Sequence, residues 1–187
     1  MNDTQNSLVS RQYRCGDILL FRTMTNIVGN LQRWFDGPAG HAEIIKFDNN
    51  NGTVDTLGTN FDGMKWRTQE LTGEHCIIRF NGNINELHML FAIHDCYNKS
   101  AHEYSFAGLF NAAFQQFMDD ITFKTWRKHI PMKIGDRLFC SATVARCYEI
   151  YSGYKFHREG ESEQDAMTVT PSDLLKDKDF TIIKTFS

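Results

Sequence analysis

An α+β fold, a small antiparallel sheet packed against helices, is predicted by three features of this 187-residue sequence. Short apolar runs bounded by turn residues recur in the first half, as strands require. One pair of runs flanks Asp48-Asn49-Asn50-Asn51-Gly52, residues that tolerate left-handed backbone angles and so mark a hairpin. Elsewhere, apolar residues return at three- and four-residue steps, the period of an amphipathic helix.

Each element follows from these signals. Gly16-Asp17 turns the chain into the buried strand Ile18-Leu19-Leu20-Phe21-Arg22. From Thr23 to Trp34 the period changes to that of a helix, softened at Gly29 and stopped by Gly37-Pro38. His41 to Phe47 and Thr53 to Leu57 form the hairpin arms, and His75 to Phe80 is a further strand closed by Asn81-Gly82. Helical spacing covers Ile84 to Tyr97, with Leu87, Leu90, Phe91, Ile93, His94 and Tyr97 near one face, then Phe106 to Met118, then Cys140 to Tyr151. Pro171 suits a first helical turn, and Phe180 to Phe186 reads as a closing strand. No repeat, low-complexity tract or linker divides the chain, so residues 1–187 are read as one domain with a helical insert around 106–136.

Composition narrows the function. A chain of this length buries roughly two-thirds of its unfolded surface without needing staples. Fifteen Phe, three Trp and six Tyr with a net charge of -3 argue against disorder and against general affinity for nucleic acid. Five cysteines, odd in number and with no CxxC pair, exclude a complete disulfide framework and point to reduced thiols. The polar N-terminus has no signal-peptide pattern and no run approaches the roughly 18 apolar residues of a membrane span. A cytoplasmic location is the default expectation, with delivery by a signal-independent secretion system or a phage also open.

The chemistry centres on one thiol. Most free cysteines are small buried hydrophobes, but Cys140 opens an amphipathic helix, where unpaired N–H groups and the helix dipole favour a thiolate. Cys147 lies mid-helix, and Cys15, Cys76 and Cys96 fall in or near apolar segments. Among seven histidines, His41 opens a buried strand in Gly40-His41-Ala42-Glu43-Ile44-Ile45 and is the candidate base, although a strand-opening histidine is as readily a surface residue. Such a base needs a polar group to orient its ring. Asp55, on the return arm of the hairpin, is the preferred candidate, with Glu43, two residues along the same strand face, as its competitor.

These landmarks resemble the circularly permuted NlpC-type papain-like cysteine hydrolases, in the YiiX-like branch related to lecithin:retinol acyltransferases. Gly16 to Arg22 is similar to the family's opening strand, Gly40 to Ile45 to its histidine strand, and Val54-Asp55-Thr56 to the position of the third polar residue. Asp62-Gly63-Met64 is similar to its Gly-Val step, Tyr104-Ser105-Phe106 to its tyrosine segment, and Phe139 to Ala145 to its Cys-Ser helix. The resemblance spans roughly Gly16 to Leu174, and the order of histidine before cysteine is what permutation implies. It implies a papain-like fold in which Cys140 attacks a carbonyl, His41 transfers the proton and the acid holds the imidazole. The Cys140 backbone N–H and the Tyr104 hydroxyl would meet the oxyanion.

The expected function is therefore amide hydrolysis by a cysteine peptidase or amidase, acting on a peptide, an isopeptide or a peptidoglycan cross-bridge. Lipid ester or thioester hydrolysis or acyl transfer is the alternative, and a noncatalytic binding module the second. No metal or organic cofactor is required, and the scattered His and Cys lack metal-ligand spacing.

Overall fold

The computed structural model describes residues 11–22, 38–60, 63–100, 140–157 and 165–187. They form an α+β arrangement of a six-stranded antiparallel sheet in the order β4-β3-β2-β1-β5-β6 with three helices. The strands are β1 (Ile18–Arg22), β2 (Ala39–Asp48), β3 (Thr53–Asn60), β4 (Gly63–Glu70), β5 (His75–Phe80) and β6 (Phe180–Lys184), and the helices α1 (Glu86–Lys99), α2 (Cys140–Ser152) and α3 (Pro171–Lys176). The helix expected from Thr23 to Trp34, the helix from Phe106 to Met118, the insert around 106–136 and Tyr104 lie outside the described residues. No helix among the described residues is long and apolar enough to cross a membrane.

Side-chain alternation sorts the sheet into two faces. Ile18, Leu20, Ala42, Ile44, Leu57 and Ile78 meet α1 and α2, which contribute Met89, Ile93, Cys96, Val144, Cys147 and Tyr148 to the larger core. Leu19, Ile45 and Ile77, their sequence neighbours, form a smaller cluster with Val54 and Tyr13. Glu43 stands opposite Leu19 in the β1–β2 register, which puts it on this second face.

The hairpin loop is built as its residues dictate. Asn50 (φ 57°) and Gly52 (φ 85°) take left-handed backbone angles, and side chains close the turn: the Asn50 N–H donates to Asp48 Oδ1 (2.9 Å) and the Thr53 N–H to Asn51 Oδ1 (3.0 Å). The register slips within β2, where Ile45 pairs with Thr56 but Phe47 with Asp55, leaving Lys46 as a bulge. Strand β4 escapes the sequence patterns because its alternation has only Met64 and Trp66 as large apolar residues, each followed by a charged one, Lys65 and Arg67; charge of this kind suits an edge strand.

In α1 the buried stripe is Met89, Ala92, Ile93 and Cys96, while Leu87 (58%) and Phe91 (63%) are exposed. This corrects the face expected from apolar spacing. The small Ala92 and Cys96 let α1 approach α2 closely, and Cys96 Sγ reaches the Thr143 carbonyl at 3.9 Å. Asn85 caps α1 by accepting from the His88 N–H. A reciprocal capping box between Thr170 and Asp173, with Pro171 in the first turn, starts α3.

Tyr148 locks α2 to the sheet. Its hydroxyl donates to the Gly16 carbonyl at 2.6 Å. Its fully buried ring sits among Phe80, Tyr154, Phe156 and Phe180 at centroid distances of 5.4–6.0 Å. Tyr148→Ala is expected to lower unfolding free energy by about 3–5 kcal/mol. Tyr148→Phe, which keeps the ring but leaves a buried carbonyl unpaired, should cost about 1 kcal/mol. Urea denaturation of the two variants checks both values.

Candidate active site

Cys140 is the first residue of α2 and is 4% exposed. Two buried polar contacts hold the helix around it. The Ser141 hydroxyl donates to the Val169 carbonyl (2.7 Å), and the Thr143 and Thr59 hydroxyls meet at 2.6 Å, joining α2 to the segment before α3 and to β3. These bonds oppose both rotation and sliding of the helix.

His41 lies in β2 opposite Phe21, whose ring centroid is 5.1 Å from the imidazole. Its Nε2 is 3.2 Å from Glu43 Oε1, and Cys140 is the neighbour that most strongly raises its pKa. With Nε2 engaged by a carboxylate, Nδ1 is the ring nitrogen left for the thiol. Phe21 in turn meets His75 edge-on at 4.7 Å. The His75 Nδ1 accepts the Thr72 N–H at 3.0 Å, and burial holds this second imidazole below its ordinary pKa, in the neutral form.

Glu43 is fully buried, yet its carboxyl stays below the usual pKa. Burial pushes it up, but His41, the Thr56 hydroxyl (2.6 Å) and the Gln69 amide (2.9 Å) more than offset that penalty. Arg67 Nη1 lies 3.8 Å from Glu43 Oε1 while donating to the Gly58 carbonyl at 2.9 Å. Gly58 faces Glu43 across the β2–β3 ladder, and a methyl group there would come within 2.5 Å of Glu43 Cγ and Oε1. Space, rather than a backbone angle, demands glycine at this position.

Charge follows geometry. Burial lowers the His41 pKa, but the neighbouring Cys140 and then Glu43 overcome it and carry the imidazole up to about 9. Burial raises the Cys140 thiol, but His41 and the backbone N–H groups of Ala42 and Ser141 bring it below its ordinary value. Both directions favour the charged forms, a thiolate beside an imidazolium, with the Glu43 carboxylate also on the ring. The other thiols differ. Burial pushes Cys15 up to about 12, Cys76 to about 11 and Cys147 well above its usual range. The neighbouring Cys147 pulls Cys96 down, but the Cys96 side chain is sealed from solvent.

The structure thus brings Cys140, His41 and Glu43 together and places Asp55 elsewhere. Asp55 pairs with Phe47 near the hairpin loop, and its Oδ1 accepts from Asn49 Nδ2 (3.1 Å) and the Thr68 hydroxyl (2.8 Å). At about 3.3 Å per residue along the strand, it sits roughly 17–20 Å from the level of His41. Since Glu43 pairs with Gly58, the β3 residue at that level is Asn60. Thr56, Gly58, Arg67 and Gln69 carried no signal in the sequence reading, because Arg67 and Gln69 lie on the unrecognised β4 and the register needed the bulge.

A second polar cluster lies outside this site. His157, Asp177 and Asp179 bring potential ligand atoms within 4.8 Å of one another. Asp177 accepts from the Tyr154 hydroxyl (2.8 Å), the His157 N–H (2.8 Å) and the Asp179 N–H (2.9 Å). Its oxygens brace the chain after α2 against the turn into β6. Compared with known proteins, the chain matches no family model and no curated protein.

Gly58→Ala is expected to displace Glu43 from the imidazole. The His41 titration midpoint should then fall below about 9, though the neighbouring Cys140 still holds it up, read from the ring protons by NMR, with a stability loss of about 1–3 kcal/mol from overpacking.

Proposed function

We propose that this chain is a cysteine hydrolase that cleaves an amide bond in a peptide, an isopeptide or a peptidoglycan cross-bridge, through Cys140, His41 and Glu43. The observation that carries this reading is the placement of one imidazole between a thiol and a buried carboxylate. The order of strand, histidine hairpin and cysteine helix supports a permuted papain-like architecture of the NlpC type.

In this mechanism the Cys140 thiolate attacks the carbonyl carbon, forming a C–S bond and a tetrahedral oxyanion. Collapse breaks the C–N bond, and the proton on His41 Nδ1 passes to the departing amine. The neutral imidazole then takes a proton from water as its oxygen attacks the thioester carbonyl. Loss of sulfur releases the carboxylic acid and restores the thiolate–imidazolium pair. Glu43 keeps Nε2 protonated and stabilises the imidazolium throughout, without taking the proton itself. The Cys140 backbone N–H is the proposed oxyanion donor, together with the Tyr104 hydroxyl.

The pKa shifts define a pH window. His41 is raised to about 9, so the imidazolium is present below that pH and is lost as pH rises through it. Cys140 is lowered, so its thiolate appears below the ordinary thiol range of about 9. Hydrolytic kcat/KM is expected to be bell-shaped, with the upper limb falling through pH about 9.

Alkylation by iodoacetamide near neutral pH should select Cys140 and lose that selectivity in His41→Ala; equal reactivity of all five thiols would overturn the reading. Mass spectrometry of products from peptidoglycan fragments and acylated lipids, with Cys140→Ala as the blank, identifies the bond. Amide cleavage by wild type alone is expected, lipid deacylation would move the assignment to acyl chemistry, and neither would leave a binding module.

A further inference from the structure

The hydrolase reading leaves one question about the site: what keeps a carboxylate with no solvent access ionised. A buried carboxyl group without donors takes up a proton, and a neutral Glu43 would withdraw its share of the pull that keeps His41 an imidazolium, leaving that of Cys140. The two carboxylate oxygens divide the work. Oε2 accepts both the Thr56 hydroxyl from β3 (2.6 Å) and the Gln69 amide from β4 (2.9 Å), while Oε1 faces His41 Nε2 (3.2 Å) and, at 3.8 Å, the Arg67 guanidinium from β4, which all the test variants retain. Gly58, between these residues on the hairpin, supplies the room for this orientation.

We propose that Thr56 and Gln69 are positioning residues that set the charge of His41, and through it that of Cys140, by holding Glu43 ionised with Oε1 turned to the imidazole. Neither residue touches the thiol, so each acts through Glu43. The relay runs from the edge strand β4 across β3 to the histidine strand β2, three neighbours in the sheet. Gln69 is half-buried, so its donor is reached from near the sheet edge. Thr68, the adjacent residue on β4, donates instead to Asp55 (2.8 Å) and provides an internal comparison.

The test is the pH titration of the His41 ring by NMR in the full chain, with the alkylation profile of Cys140 alongside. Removing either donor, in Thr56→Val or Gln69→Met, is expected to lower the His41 midpoint by about one pH unit, a tenfold change in its ionisation constant. Selective alkylation of Cys140 near neutral pH should weaken in parallel. Thr56→Ser, which restores a hydroxyl, should return the wild-type midpoint, and Thr68→Val should leave it in place. Gln69 sits on an edge strand, so Gln69→Met carries the test if Thr56→Val does not fold by circular dichroism. A wild-type midpoint retained in folded Gln69→Met, or a shift of the same size in Thr68→Val, overturns the proposal. This inference rests on the hydrolase reading, and the two fail separately. Loss of selective Cys140 alkylation in the wild type removes that reading, whereas selective alkylation with unmoved variant midpoints removes only the positioning role.

Discussion

The carboxylate of Glu43 is the constraint around which the site is arranged. A charge withdrawn from water is tolerated only when hydrogen bonds and an opposite charge replace its hydration. Here the replacement comes from β3, β4 and the histidine two residues away on β2. Three strands must therefore hold a common register for the charge to be stable, and the same register delivers the imidazole to the thiol. Stability and chemistry are tied to one group. A mismatch of one residue between β2 and β3 would turn Thr56 to the other face and leave a buried anion short of a donor.

The cysteine helix is held by a different kind of contact. Tyr148 fixes it with a phenol bonded to the Gly16 carbonyl inside an aromatic cluster, while Ser141 and Thr143 secure its first turn through short polar bonds. The thiol and the imidazole thus belong to separately anchored elements, a helix and a strand. Their relative placement follows from packing of the larger core, where Val144, Cys147 and Tyr148 meet Ile44 and Leu57. Rigid support of this kind is what the proposed nucleophile and base need to stay within bonding reach.

Much of the frame was legible because its signals are local. The Asn-rich loop, the Gly16-Asp17 turn and Pro171 all act within a few residues, and the strands and helices beside them lie where these signals put them. Cys140 and His41 stood out as candidates because one opens a helix and the other lies near the start of a strand. The third group was not. Choosing between Asp55 and Glu43 required the hairpin register, and that depends on a bulge at Lys46 which leaves no compositional mark. The donors on β4 were hidden for another reason: its alternation rests on only two large apolar side chains, Met64 and Trp66, too few to mark a strand.

That bulge has a consequence for how the hairpin can vary. It separates the ladder into a loop-side half, carrying Asp55 with Asn49 and Thr68, and a site-side half, carrying Glu43, Thr56 and Gly58. A residue gained or lost around the Asn-rich loop can be absorbed at Lys46, where pairing is already irregular, before it reaches Ile45. The site half then keeps its alignment while the loop half changes length. The bulge works as an expansion joint, leaving the exposed end of the hairpin free to diverge in sequence and size without disturbing the imidazole at the other end.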